Sequence, residues 1–121
     1  MKEAGPQQDL RQRTMQYALR IVRLFRALPK TIEAQIIGKQ LLRSGTSVGA
    51  HYREAQRAKS DADFISKIEG GLQELDESDF WLELLELAEI VSARLLKPLR
   101  DETSELIAIF VTIAKKTKGK N

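Results

Sequence analysis

The sequence predicts an all-α fold, an antiparallel up-down-up-down four-helix bundle, and three observations predict it. Four stretches repeat apolar residues at alternating three- and four-residue steps, the spacing of one helical face. The connections between them are short and carry capping residues or proline, which places consecutive helices side by side and antiparallel. At 121 residues the chain reads as one domain, residues 1–121, large enough to bury a core without disulfides or metals.

The first stretch, about Gln8 to Leu28, places Leu10, Thr14, Tyr17, Ile21, Leu24 and Leu28 on one seam, and Pro29 ends it. Arg13, Arg20 and Arg23 line up behind that seam as a basic stripe. The second stretch starts at Thr31, a fitting N-cap, and runs to about Ala58. Its outward face carries Lys39, Arg43, Arg53 and Arg57, opposite Ile37, Leu41, Val48 and Tyr52. Inside it lies "GTSVG". Gly45 and Gly49 stand one turn apart, each costing about 1 kcal/mol of helix propensity relative to alanine. The apolar phase runs through them unbroken, so close packing against a neighbouring helix is the expected reason for both.

Ser60, followed three residues later by Asp63, opens the third helix with a capping-box-like signal. Its seam is Phe64, Ile68, Gly71, Leu75, Ser78, Leu82 and Leu85. Phe80, Trp81, Leu84, Leu87 and Ala88 fall outside that seam and predict a second contact, an interface with another subunit. The competing reading buries this half of the helix inside its own bundle. The fourth helix is expected to begin near Pro98, which suits a first turn, with "SARLLK" as the preceding connection. Its seam is Leu99, Thr103, Leu106, Phe110 and Ile113. Residues 1–7 and the basic tail 115–121 are expected to be flexible.

Charge is unevenly placed. Residues 1–60 carry twelve Lys/Arg against four Asp/Glu, residues 61–105 carry four against thirteen, and residues 106–121 carry four against none. Such segregation fits helices that attract each other, subunit assembly, or a face that binds a polyanion. Without cysteine, and with a single histidine, the chain has no disulfide framework and no Cys/His zinc site. With no signal-like apolar run at its start and no membrane-length span, it is expected to be cytoplasmic and soluble. No constellation of nucleophile, base or ligand points to catalysis, a metal or a cofactor. His51 reads as a surface histidine, and Glu83, Glu86 and Glu89 read as a solvated ridge or as partners for arginines of another helix.

The stretch Gln40–Leu85, with "QLLRSGTSVGA", "REAQRA", "DFI" and "WLELL" in order, resembles the bacterial four-helix-bundle family of 23S ribosomal RNA intervening-sequence proteins. The family's usual asparagine is replaced here by His51. The resemblance implies a small bundle, commonly a ring-shaped homopentamer, with no known enzymatic activity. It further implies kinship with the accessory variability proteins of diversity-generating retroelements, basic bundles that bind nucleic acid and a reverse transcriptase. The function expected is therefore a homo-oligomer that binds RNA or DNA, with Arg13, Arg20, Arg23, Lys39, Arg43, Arg53 and Arg57 as phosphate contacts. The alternative is a protein-binding adaptor whose arginines are satisfied by the acidic third helix.

Overall fold

The computed structural model describes residues 6–120 and contains four helices: α1 Pro6–Ala27, α2 Ile32–Gln56, α3 Asp61–Leu87 and α4 Ala93–Lys118. No strand occurs among the described residues. α1 packs on α2, α2 on α3 and α3 on α4, while α1 and α4 meet sparingly. The expected flexibility of residues 1–5 and 121 lies outside the described residues.

Each helix start has a local cause. Thr31, Ser60 and Ser92 hold extended backbone, and their hydroxyls accept the amides of Ala34, Asp63 and Leu95 at 3.4, 3.0 and 3.3 Å. Each cap satisfies one of the orphan amides of a first turn. Pro6 is the first residue of α1, where the missing N–H costs nothing.

Two boundaries differ from the sequence reading. α4 begins at Ala93, so "SARLLK" supplies a cap and a first turn, and Pro98 lies inside the helix. The driving force is burial: Leu96 is 1% and Leu99 6% exposed, one on each side of the proline, and only a helix through Pro98 turns both into the core. At the other end α4 continues through Lys118, because Ala114 and Thr117 extend its buried face past Phe110. Lysines in that last turn suit the negative end of the helix dipole.

α3 ends without a glycine. Glu89 adopts a left-handed backbone with φ of 59°. Its amide donates to the Glu86 carbonyl at 3.0 Å and that of Ile90 reaches back to Leu85 at 3.0 Å, the paired bonds of a Schellman stop.

The core runs the length of the bundle through Tyr17, Ile21, Leu41, Val48, Ile68, Leu75, Leu82, Leu106 and Phe110. At mid-height it contains a polar layer with one hydroxyl from each helix. Tyr17 Oη lies 2.7 Å from Thr103 Oγ1, and Ser44 Oγ lies 2.8 Å from Ser78 Oγ. Thr103 and Ser78 donate to the carbonyls of Leu99 and Glu74 at 2.8 and 2.9 Å. The buried hydroxyls are thereby satisfied, as a low-dielectric interior demands.

Gly45 and Gly49 face α1. A Cβ on Gly45 would stand 2.7 Å from Ile21 Cγ1, and one on Gly49 3.1 Å from Thr14 Oγ1. The space that side chains would fill at these positions is occupied by α1.

Candidate nucleic-acid interface

The antiparallel pairing sorts the seven basic candidates into two groups. Arg13 and Arg43 are held inside the chain. Arg13 grips Glu102 of α4 with Nε at 3.1 Å and Nη2 at 2.6 Å, and Glu105 lies at 3.9 Å. This two-pronged bond raises the Arg13 pKa and ties α1 to α4 where their backbones stand apart. Arg43 lies 3.6 Å from Glu74 and 3.4 Å from Glu77. The Glu74 carboxyl is pushed up by burial first and by neighbouring Glu77 second, while Arg43 works the other way. A guanidinium with such partners offers little to a phosphate.

Arg20, Arg23, Lys39, Arg53 and Arg57 form no ion pair among the described residues. The structure does not gather all five. It sets Arg53 beside Arg11 in a groove between α1 and α2 of about 730 Å³, with Gln12, Met15 and Gln16 completing the walls. A second hollow of about 360 Å³ shares Met15 and Arg53 and continues along the helices over Ala18, Gly49 and Ala50. Arg11 was missed by the sequence reading because it falls off the stripe of Arg13, Arg20 and Arg23. Only the α1–α2 crossing reveals its place: Arg11 Nη1 donates to Gln56 Oε1 at 3.3 Å, so it faces α2, whereas Arg13 faces α4.

The acidic ridge of α3 is largely engaged within the chain. Arg100 of α4 reaches Asp79, Glu83 and Glu86 at 3.8, 3.4 and 3.1 Å. Lys118 holds Glu69 at 3.0 Å. Glu89 forms no ion pair and instead supplies the turn that ends α3. No group of three or more His, Asp or Glu side chains that could hold a metal occurs among the described residues.

His51, expected at the surface, is half-buried between α2 and α3. Its ring lies over Gly70, where an added Cβ would meet Nδ1 at 2.8 Å, and Nδ1 is buried with no partner. Phe80, Leu87 and Ala88 are exposed, the first two at 57% and 70%, while Trp81 and Leu84 are half-buried. Trp81 packs against the core, meets Phe80 edge-on at 4.9 Å, and keeps a buried Nε1 without a partner. Ile32 and Ile36 at the start of α2 and Leu95 at the start of α4 are also exposed, at 78%, 58% and 74%. All three belong to the end of the bundle where α3 finishes. No described helix is long and apolar enough to cross a membrane.

No curated protein matches this sequence. Among solved structures, the chain is similar to the crystal structure of a protein of unknown function from the S23 ribosomal protein family of Bacteroides thetaiotaomicron VPI-5482. The two are 35% identical, with a TM-score of 0.84 over 90% of this chain and 97% of that one. The profile described as 23S rRNA-intervening sequence protein matches residues 7–112, which takes in nearly all of the four helices. With sequence and fold in agreement over that span, the chain belongs to the 23S rRNA-intervening sequence protein family.

Proposed function

We propose that the chain is a non-enzymatic, self-associating helical bundle of the cytoplasm that binds RNA or DNA through phosphate contacts on its basic face. The observation that supports this is where the ion pairs fall. Glu69, Glu74, Glu77, Asp79, Glu83 and Glu86 of α3 are taken up by Lys118, Arg43 and Arg100, while Arg20, Arg23, Lys39, Arg53 and Arg57 keep no carboxylate. Cations left unneutralised on α1 and α2 attract a polyanion and gain by releasing its counterions. An adaptor neutralised by its own third helix would have tied up these same side chains, and among the seven candidates only Arg43 is so engaged.

Self-association is the second half of the reading. Phe80, Leu87, Ile32, Ile36 and Leu95 expose large apolar side chains toward one end of the bundle, the kind of surface that marks an interface. The pentameric ring implied by the resemblance would repeat a few arginines per subunit around one assembly.

Filter binding of RNA and of DNA across a salt series tests the nucleic-acid half. The expected slope of log K against log salt is about −0.9 per phosphate on duplex DNA and about −0.7 on single strands. Arg53→Glu with Arg57→Glu should weaken binding to unrelated sequences alike, since no groove-reading motif is present. Failure to retain either nucleic acid at low salt returns the reading to the adaptor.

A further inference from the structure

We infer that the groove between the first half of α1 and the second half of α2 is a site for single-stranded nucleic acid, with a phosphate held between Arg11 and Arg53 and a base laid on the apolar floor beyond them; the inference rests on the nucleic-acid reading above. The two hollows share Met15 and Arg53 and so form one groove with a charged half and an apolar half. Among the described residues the charged half presents two guanidinium groups without acidic partners: Arg53 forms no ion pair there, and Arg11 bonds to the neutral amide of Gln56. Among the described residues no carboxylate lines either hollow. The nearest acids in sequence turn elsewhere, since Asp9 lines a hollow against α4 and Glu54 pairs with Lys67 of α3 at 3.8 Å. A negative ligand therefore meets attraction with no opposing charge at the wall.

The apolar half is floored by Ala18 and Ala50, small side chains that let a flat ring come close to two helix backbones, with Thr14 and Thr46 also in its wall. Gln12 and Gln16 line the charged half beside the two arginines and add neutral amide donors there. A phosphate at one end and an apolar shelf at the other match the two halves of a nucleotide. A duplex keeps its bases stacked inside and can touch only the rim, whereas a flexible strand can lay phosphate and base into the groove together. Met15 gives less stacking than an aromatic ring, so discrimination among bases is weak.

Fluorescence anisotropy on the full chain at low salt, with a labelled oligouridylate, its duplex with oligoadenylate, and an oligoglutamate competitor, tests the site. The single strand should bind about tenfold tighter than the duplex, the worth of one base contact. Arg11→Gln with Arg53→Gln should weaken single-strand binding about tenfold and flatten the salt slope by about 0.7, the share of the one phosphate they hold. Arg26→Gln with Lys30→Gln removes equal charge outside both the groove and the basic face, on exposed side chains at the far end of α1 and just beyond it, and should change affinity less than about twofold. All of these side chains are on the surface, and unchanged far-UV helicity confirms that the variants fold. Equal losses from the two pairs would overturn the site while leaving diffuse electrostatic binding intact. Duplex binding as tight as the single strand would overturn the ligand class, and so would oligoglutamate displacing the strand at equal charge, which would point to an acidic protein instead. If the parent binds neither nucleic acid, the site and the function proposed above both fall.

Discussion

At Gly45 the bundle has no room for a side chain, since even a Cβ would press to 2.7 Å of Ile21, itself fully buried. Gly45→Leu is expected to cost about 3 kcal/mol or more through overpacking, read from the midpoint of a denaturant melt. An unchanged midpoint would mean that α1 moves aside freely. Tyr17 gives a different handle. Burial pushes its phenol up to about 12, from the ordinary 10 of an unfolded tyrosine. The folded chain thus favours the neutral phenol, so this contribution is whole below pH 10 and is lost as pH rises from 10 to 12. The loss is about 1.4 kcal/mol per pH unit. Comparing alkaline melts of the parent and Tyr17→Phe isolates it, because lysine deprotonation is common to both, and the variant should show the shallower fall.

At the scale of the element, Glu89 stands where most helices place glycine. A left-handed residue with a Cβ carries a steric penalty of about 1–2 kcal/mol, so Glu89→Gly should stabilise the protein by about 1 kcal/mol in thermal or denaturant unfolding. Loss of stability would mean that the Glu89 side chain contributes more than its backbone strain costs. The other element ends show why some boundaries were legible. Thr31 and Ser60 could be read because a capping hydroxyl precedes an amphipathic run directly. Ser92 caps α4 in the same way, but Pro98 is also a local start signal, and local pattern does not choose between the two. Only the burial of Leu96, a long-range fact, decides between them. The lysines of the tail concealed that Ala114 and Thr117 continue the seam.

At the scale of the molecule, the apolar end is the feature to test. Phe80→Glu with Leu87→Glu should lower the mass measured by light scattering to that of a single chain and leave helicity intact, because both side chains already face water. A parent that is itself monomeric at micromolar concentration would remove self-association from the proposed function. The seams of all four helices could be read because helical period alone fixes which residues turn inward. The candidate interface could be read only in part. Periodicity puts Arg13, Arg20 and Arg23 on one stripe, but the partner facing that stripe changes along α1, so Glu102 claims Arg13 while Arg20 and Arg23 keep none. Arg11 joins Arg53 through a crossing forty-two positions apart in sequence, a register that no local pattern encodes.

The two neighbouring residues at the centre of α2 also decide which way the bundle winds. Ser44 turns toward Ser78 on α3, and Gly45 turns toward Ile21 on α1. Short connections allow the same four helices to be wound in either sense, and the apolar seams would be buried equally well in both. In the mirror arrangement the flanks of α2 exchange neighbours. The Ser44 hydroxyl would then meet Ile21, while a void would open between Gly45 and α3. An unpartnered buried hydroxyl costs about 1–3 kcal/mol, and the void adds to it. Handedness is thus written into a dipeptide. Exchanging the pair, Ser44→Gly with Gly45→Ser, keeps composition and helix propensity constant yet should lower the denaturation midpoint, because each residue would face the neighbour that fits the other.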